Sequence, residues 1–358
     1  MAIYKGKEYS KQDLMRRVGN MKNIAEVRAN TRNMGKPDGI KSFDVTCGDL
    51  SYSVMESRCL DILNLRYKNT PINFLSVVGP VQAGLADHEG RNFLRSISGG
   101  MLYTCGFSNV GGHYPSEEEG RNIFHGRLRF IPADNVASFE KWEGDDFVVG
   151  VSGEMRDNGL FFENNVLRRT ISSKLGSKVI TIDDEVENES FYTAPFMMMY
   201  HLNYGFPILG PDCEMFIPTK GITPVSEESE RCLDEWNIVT DPVDGKIENV
   251  YVHELMHDKD GNCYVGAYNK ELGLGMYSTF RYEILPRLVE WRSMGSIEYC
   301  LGLMPSNGYA SSRQMDIDKG VLRHIGPFET IKMGCTLTII DGEEDLAAFK
   351  KKFENCTL

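Results

Sequence analysis

Short segments in which apolar and polar residues alternate recur through the middle of the chain. In KVITIDDEVEN, Ile180, Ile182 and Val186 fall on one side and mostly acidic residues on the other. Alternation with a period of two is typical of a β-strand with one solvated face. The same alternation occurs in FVVGVSGEM, NVYVHEL, NCYVGAYN and CTLTIID. Turns that contain Gly or Asp separate these segments. The chain is therefore predicted to be mainly β, with antiparallel strands.

Helical spacing is confined mostly to the two ends of the chain. Near the N-terminus, Ser10 followed by Asp13 resembles a capping box, and apolar residues recur at helical intervals from Leu14 to Val27. We therefore expect residues 1–35 to form an N-terminal helical extension.

The C-terminal segment DGEEDLAAFKKKFEN has acids in its first turn and lysines in its last, which suits the helix dipole. It predicts a helix over residues 342–356. A short helical turn is also expected after Pro286, in LPRLVEWR. No Pro-, Ser- or Gly-rich linker divides the chain, so residues 1–358 are predicted to form a single domain.

Charge and cysteine content restrict the partners. A formal net charge of −12 argues against nucleic acid and anionic membranes, which attract basic proteins. The nine cysteines include no CxxC pair and suggest reduced thiols. No segment resembles a signal peptide or approaches the roughly 20 apolar residues of a membrane span. We expect a cytoplasmic protein that binds a small molecule, and the sequence leaves a homo-oligomer open.

Four polar clusters interrupt the strand pattern beside glycine or aromatic residues. They are SRCLDI with Arg58 and Asp61, GGMLYTCGFSNVGGHYP with Asn109 and His113, HGRLRF with His125 and Arg127, and PFMMMYHLNYGFPILG with His201 and Asn203. A histidine in an apolar strand is more often a core residue than a catalyst, and a glycine-rich segment is often a bulge. The functional alternative is proton transfer on a polyol, which needs a histidine near neutral pKa, a carboxylate base, and Arg or Asn donors to hydroxyls.

The letters HELMH, from His253 to His257, match the HExxH zinc pattern. That pattern requires a helix, where residues four apart share a face. Here a β-branched segment precedes the motif and a turn follows it, and on a strand the two imidazoles would lie roughly 13 Å apart. No metal and no cofactor are therefore predicted, and the absence of GxSxG gives no support to nucleophilic hydrolysis.

Taken in order, these clusters resemble the galactose mutarotase superfamily, in its branch of aldose 1-epimerase-like proteins. The resemblance runs from about residue 40 to 345 and includes Arg-x-x-Asp-Ile, GGMLYTCGFSNVGG, HGR, YHLNYGFPIL, VYVHEL, and LPRLVEW followed by YCLGLMPSN. It implies a large antiparallel β-sandwich, the galactose mutarotase-like supersandwich, with a few peripheral helices. The concave face of such a sandwich binds a sugar.

The resemblance also implies catalytic residues. His201, with Asn203 beside it, matches the general acid that protonates the ring oxygen of the sugar. His125 matches the histidine that holds the sugar near its reacting end. His253 lies on a strand that contributes to the same face in relatives, so His125, His201 and His253 are the expected catalytic residues.

Substrate contacts are expected from Arg58, Asn109, Arg127, Asn203 and Met304. The base of the family is a glutamate in a late Leu-Glu-Pro-like motif. In LGLMPSN the corresponding residue is Met304, which cannot accept a proton. The general base is therefore left without an assigned residue.

The expected function is that of a carbohydrate epimerase or mutarotase that uses acid/base proton transfer on a small-molecule sugar. Two alternatives remain open: a keto-sugar isomerase, an epimerase at another carbon or a lyase on the same platform, and a noncatalytic carbohydrate-binding protein. Arg58, Arg95, Arg127 and Arg281 could meet an anionic substituent, so the charge of the sugar is also left open.

Overall fold

The structure is a computed structural model and describes residues 1–86, 90–112, 114–116 and 120–358. His113, one of the sequence candidates, lies outside the described residues.

Strands are the main type of secondary structure in the described chain. In chain order they are β1 (Ala2–Tyr4), β2 (Lys7–Tyr9), β3 (Ala25–Thr31), β4 (Lys41–Cys47), β5 (Leu50–Met55), β6 (Asp61–Tyr67), β7 (Thr70–Pro71), β8 (Leu102–Phe107), β9 (Tyr114–Ser116), β10 (Gly120–Asn122), β11 (Asp134–Glu143), β12 (Asp146–Asn158), β13 (Asn164–Lys174), β14 (Val179–Asn188), β15 (Ala194–Pro195), β16 (Met197–Tyr204), β17 (Cys213–Phe216), β18 (Thr219–Pro224), β19 (Asn249–Leu255), β20 (Asn262–Asn269), β21 (Leu274–Arg281), β22 (Arg287–Met294), β23 (Tyr299–Ser306), β24 (His324–Ile325) and β25 (Thr330–Asp341). The α-helices are α1 (Lys11–Met15), α2 (Glu227–Arg231), α3 (Arg313–Asp318) and α4 (Glu343–Glu354). Short 3₁₀ turns cover Met21–Asn23, Ala83–Leu85, Gly90–Ser96, Leu128–Phe130 and Leu233–Glu235.

Three large antiparallel sheets form the fold. One has eight strands in the order β11-β12-β13-β14-β25-β21-β20-β17, one has six in the order β18-β19-β22-β23-β16-β8, and one has five in the order β3-β4-β5-β6-β7. A common hydrophobic core contains residues of all three. Hydrogen bonds join the eight-stranded sheet to the other two: one between the hydroxyls of Tyr52 and Ser173, and one from the Tyr204 hydroxyl to the Met276 carbonyl. The mainly β, antiparallel sandwich expected from the alternating segments is confirmed.

The alternation predicted from KVITIDDEVEN is the pattern of strand β14. Ile180, Ile182 and Val186 are buried in the common core, while Asp183 is exposed. Asp184 lies on the buried side together with the apolar residues. A buried carboxylate needs a hydrogen-bonded partner of opposite charge, and for Asp184 this partner is Arg169.

The N-terminal helix predicted for residues 1–35 is wrong. The Ser10 side chain does cap a helix by accepting from the Asp13 N–H at 3.1 Å, but α1 has only five residues. After Gly19 the chain makes a 3₁₀ turn and enters strand β3, in which Val27 pairs with Val45. The segment AEVRANT also has residues that suit a strand. Its pairing with a neighbouring strand therefore decides its structure, and the local helical spacing does not.

The helical turn expected after Pro286 is also wrong. Residues Arg287–Met294 form strand β22, which pairs on one side with β19 and on the other with β23. A central strand satisfies its backbone groups on both sides, and this tertiary pairing was not visible in the local pattern.

At the C-terminus, α4 lies within the predicted range 342–356. Its Leu346 and Phe349 pack on Phe216, Tyr277 and Ile340. None of the helices in the described part of the chain has the length and apolar character needed to cross a membrane.

Candidate functional site

His201 lies on the face of the six-stranded sheet that is turned away from the common core. Strand pairing places Tyr103 opposite His201 on one side. On the other side, the pairing of Leu202 with Leu303 places Met304 beside His201. Tyr103 and Met304 belong to a separate apolar cluster, whereas Leu202 and Leu303 belong to the common core. The sheet therefore separates a site face from a core face.

The His201 imidazole is partly buried, and its Nδ1 has no hydrogen-bond partner in the described residues. Burial lowers the pKa of His201 to about 4, against a smaller opposite effect of the Asn203 side chain. The Trp291 ring lies 5.8 Å from the imidazole, centroid to centroid. Both rings meet over Gly302, where a Cβ would be 3.2 Å from Cβ of Trp291 and 3.4 Å from Cε1 of His201. At neutral pH the His201 ring is uncharged.

His125 reaches the same site from a loop, with its ring centroid 5.7 Å from that of His201. Its backbone is left-handed, with φ 61°. The His125 N–H donates to the Gly111 carbonyl at 2.8 Å, and the Gly111 N–H donates to Nδ1 of His125 at 3.2 Å. The neutral ring therefore carries its proton on Nε2. Burial, with His201 and Arg129 nearby, lowers the pKa of His125 well below its usual range.

The glycine after His125 is needed for this loop. Gly126 has φ +73°, and a Cβ there would lie 2.2 Å from the Gly106 carbonyl oxygen. Gly144 has a similar φ of +62° with no atom within 4 Å of its Cβ position. We expect Gly126→Ala to lower the free energy of unfolding by about 3 kcal/mol, and Gly144→Ala by about 1 kcal/mol, because only the first adds a clash to the backbone strain. Urea unfolding of both variants measures the difference, and equal losses would contradict the close approach.

Arg129 was missed by the sequence analysis, which chose Arg127 from the same HGRLRF segment. Arg129 is 0% exposed, and its Nη1 donates to the Tyr103 hydroxyl at 2.6 Å. Arg127 instead turns to the eight-stranded sheet, where it forms ion pairs with Asp157, at 3.1 Å, and Glu163. Two carboxylates therefore neutralise Arg127, and its role as a substrate ligand stays a prediction. The sequence feature that could have pointed to Arg129 is that HGRLRF contains two arginines, either of which could face the site.

Arg58, expected to bind substrate, is only 4% exposed and donates to the backbone carbonyls of Val81 and Ser96. Its guanidinium carbon lies 5.1 Å from the centroid of the Phe130 ring, and that of Arg129 lies 4.2 Å from the same centroid. Burial lowers the pKa of Arg58, and Arg129 acts in the same direction. The two arginines form a buried pair beneath Tyr103.

The two asparagines expected to bind substrate form hydrogen bonds with the backbone around the site. The Asn109 amide donates to the carbonyls of Gly112 and Ile123, and its oxygen accepts from the Arg313 N–H. The Asn203 amide donates to a backbone carbonyl of the neighbouring loop at 2.9 Å. Both side chains are buried, and their hydrogen bonds shape the site from behind.

His253 does not join the other two histidines. It pairs across the ladder with Leu288, a residue of the common core, and so lies on the face opposite His201. It is 0% exposed, and its Nε2 lies 3.0 Å from Oε2 of Glu290. The expectation that His125, His201 and His253 share one face is therefore wrong, because β19 presents His253 to the interior.

The HELMH letters fall at the end of a strand, as expected. β19 ends at Leu255, and His257 lies beyond it, packed on Tyr282 with ring centroids 4.3 Å apart. The described residues contain no group of three His, Cys, Asp or Glu side chains that could hold a metal ion. All nine cysteines fall within the described ranges, and all are free.

Glu254, a carboxylate on the site face, is engaged by two other side chains. Glu254 accepts from Nε of Arg287 at 3.0 Å and from the Tyr309 hydroxyl at 2.6 Å. Met304, 3% exposed, occupies the position next to His201. The thioether of Met304 supplies no acid or base there.

A buried charged network lies under the site and joins all three sheets. Arg169 donates to both oxygens of Asp184, at 2.8 and 2.7 Å, and to Asp61 at 3.2 Å. Asp61 also accepts from the backbone and the hydroxyl of Thr104, and Asp184 accepts from the Tyr200 hydroxyl at 2.6 Å. Thr104 follows Tyr103 and Tyr200 precedes His201, so the network fixes both site strands.

Residues 37–339 match the family model described as a domain of unknown function, DUF4432. The comparison with curated proteins finds no match.

Solved structures share the fold. A Klebsiella pneumoniae protein provisionally named an aldose 1-epimerase has a TM-score of 0.88 and 19% identity, over 92% of this chain and 87% of its own. A galactose mutarotase-like protein from Clostridium acetobutylicum has a TM-score of 0.62 and 13% identity, over 89% of this chain and 99% of its own. The galactose 1-epimerase of Lactobacillus acidophilus has a TM-score of 0.56 and 11% identity, over 89% of this chain and 100% of its own. The chain belongs to the DUF4432 family and has the galactose mutarotase-like β-sandwich fold.

Proposed function

We propose that the protein is a carbohydrate epimerase of the mutarotase type, which interconverts the anomers of a small sugar by proton transfer. The observation that carries this proposal is a pair of uncharged imidazoles at the site face of the six-stranded sheet. The ring centroids of His125 and His201 lie 5.7 Å apart there. The names of the structural neighbours that share the fold agree with it.

His201 takes the central role in this proposal. Because its pKa is about 4, the ring enters the reaction as a base and not as an imidazolium acid. It removes the proton of the anomeric hydroxyl in the ring-opening direction and returns it on closure. His125 presents an Nε2–H donor to a sugar oxygen, and Trp291 provides an apolar wall for the ring of the sugar.

The test is proton NMR of the protein with freshly dissolved aldoses, ketoses and acidic sugars. Accelerated exchange between anomeric signals supports mutarotation. A new sugar, or solvent exchange of a carbon-bound proton, would instead support isomerisation or epimerisation at another carbon. Saturable binding without either change would support a noncatalytic carbohydrate-binding protein.

The pH dependence of the exchange rate follows from the lowered pKa of His201. A base works only when unprotonated, so we expect the rate to stay level from pH 7 to about pH 5 and to fall through about pH 4. Line-shape NMR across this range measures it, with circular dichroism as the control for folding. A rate that rises as pH falls would show that the protonated ring is the active form.

A further inference from the structure

The Tyr103 hydroxyl is a second group at the site that can transfer a proton. Its ring centroid lies 6.1 Å from that of His201, and strand pairing places both residues on the site face. The phenol oxygen accepts from Nη1 of Arg129 at 2.6 Å. Among the described residues, no acceptor takes the proton of the phenol itself.

We propose that Tyr103 is the general acid that works opposite His201, and that Arg129 is the positioning residue that stabilises its phenolate. This inference rests on the proposed function, since it assigns the second proton of the same reaction. It also gives the site an acid/base partner that Met304 cannot supply.

The charges beneath Tyr103 support this role. Arg129 and Arg58 are both buried, and both lie over the Phe130 ring. Neither forms an ion pair with a carboxylate in the described residues, and Nη2 of Arg129 and Nε of Arg58 have no partner there. Two buried cations without a carboxylate at ion-pair distance are costly, although Asp61 acts on Arg58 from farther away. A negative charge that forms on the Tyr103 oxygen during the reaction would offset part of that cost.

The resting protonation states are those that the reaction needs. Burial raises the pKa of Tyr103, and Arg129 and Arg58 oppose that rise, so the phenol is protonated at neutral pH. His201 is unprotonated at the same pH. The site therefore holds one proton donor and one proton acceptor before the sugar binds.

The proton balance closes without a cofactor. His201 takes the proton of the anomeric hydroxyl, Tyr103 gives its proton to the ring oxygen, the ring C–O bond breaks and a C=O bond forms. After rotation about the bond next to the carbonyl, the C–O bond re-forms. The former ring oxygen then returns its proton to Tyr103, and His201 returns its proton to the anomeric oxygen. No atom is oxidised or reduced.

The first test compares the full-length wild-type protein with Tyr103→Phe, on the sugar whose anomers the wild type exchanges. We expect kcat to fall by about 100-fold or more, with KM changed by less than about threefold, because a phenyl ring keeps the packing and loses the proton. Tyr192→Phe, at an exposed tyrosine, is the matched control and should match the wild type. A Tyr103→Phe variant that keeps more than about a third of wild-type kcat would overturn the proposal.

The second test replaces Tyr103 by 3-fluorotyrosine, whose phenol is more acidic and reports its ionisation by fluorine NMR. We expect the fluorotyrosine protein to stay active, and its fluorine titration midpoint to rise when Arg129 is changed to Gln. An unchanged midpoint in Arg129→Gln would overturn the role of Arg129. Arg129→Lys, which keeps the charge, should restore part of the shift.

The two failures are distinguishable. Anomer exchange that is lost in His201→Ala but kept in Tyr103→Phe would overturn only the role of Tyr103. The absence of exchange by the wild type with every sugar would overturn the proposed function on which that role rests.

Discussion

His201→Ala is expected to reduce the rate of anomer exchange by about 10²–10⁴-fold, the range found when a general acid or base is removed. The variant leaves Tyr103, Trp291 and His125 in place. Because the imidazole is partly exposed and its Nδ1 has no partner in the described residues, its removal breaks no hydrogen bond from that atom. Proton NMR of exchange, with protein concentration varied, separates the catalysed rate from the spontaneous one.

The matched control is His324→Ala. His324 is exposed on the short strand β24, which lies outside the six-stranded sheet. Its removal should leave the exchange rate within about twofold of the wild type, as expected for a surface position without a role. Equal rates in His201→Ala and the wild type would exclude His201 from proton transfer.

The largest effect on stability is expected for Arg169→Met. Arg169 is 1% exposed and connects Asp61 with Asp184, so its loss leaves two buried carboxylates without their cation. Breaking a buried ion pair from one side costs about 3–5 kcal/mol. The free energy of unfolding from urea titrations should fall by that amount, with the slope m unchanged.

The adjacent residue provides the control. Arg168 points to the other face of β13 and forms partly exposed ion pairs with Glu187 and Glu189. Arg168→Gln should cost less than about 1 kcal/mol. If Arg169→Met does not fold, Tyr200→Phe removes one hydrogen bond to Asp184 and should cost about 1.5–3 kcal/mol. Equal costs for Arg168→Gln and Arg169→Met would show that burial does not distinguish these two arginines.

Residues of the buried network and of the site stand next to each other in sequence, on opposite faces of the same strands. Tyr200 holds the network below the sheet, while His201 serves the site above it. The same relation links Thr104 with Tyr103. Stability and proposed chemistry are therefore set by alternate residues of β8 and β16, and variants of Tyr200 are expected to disturb His201 through the backbone.

Much of the fold is determined by local sequence. The alternation in KVITIDDEVEN and similar segments defines strands because one face of each must be buried, and the acids before and lysines after the apolar residues of the C-terminal segment define α4. The segments that contain His201 and His125 could also be recognised from the sequence as candidate site segments, because each places a polar side chain among apolar, aromatic or glycine residues. These features are encoded within about ten neighbouring residues.

Other features were decided only by pairing between distant strands. The face that His253 occupies depends on the register of β19 against β22, and a shift of one residue would reverse it. Whether Arg127 or Arg129 enters the site depends on Asp157 and Glu163, which are distant in sequence and neutralise the first. Residues Ala25–Thr31 join a sheet because a neighbouring strand offers backbone partners that an isolated helix lacks. Sequence alone thus determined the strands and the candidate imidazoles, while the tertiary structure decided which side chains meet, because contact between strands depends on register and on partners that local spacing does not encode.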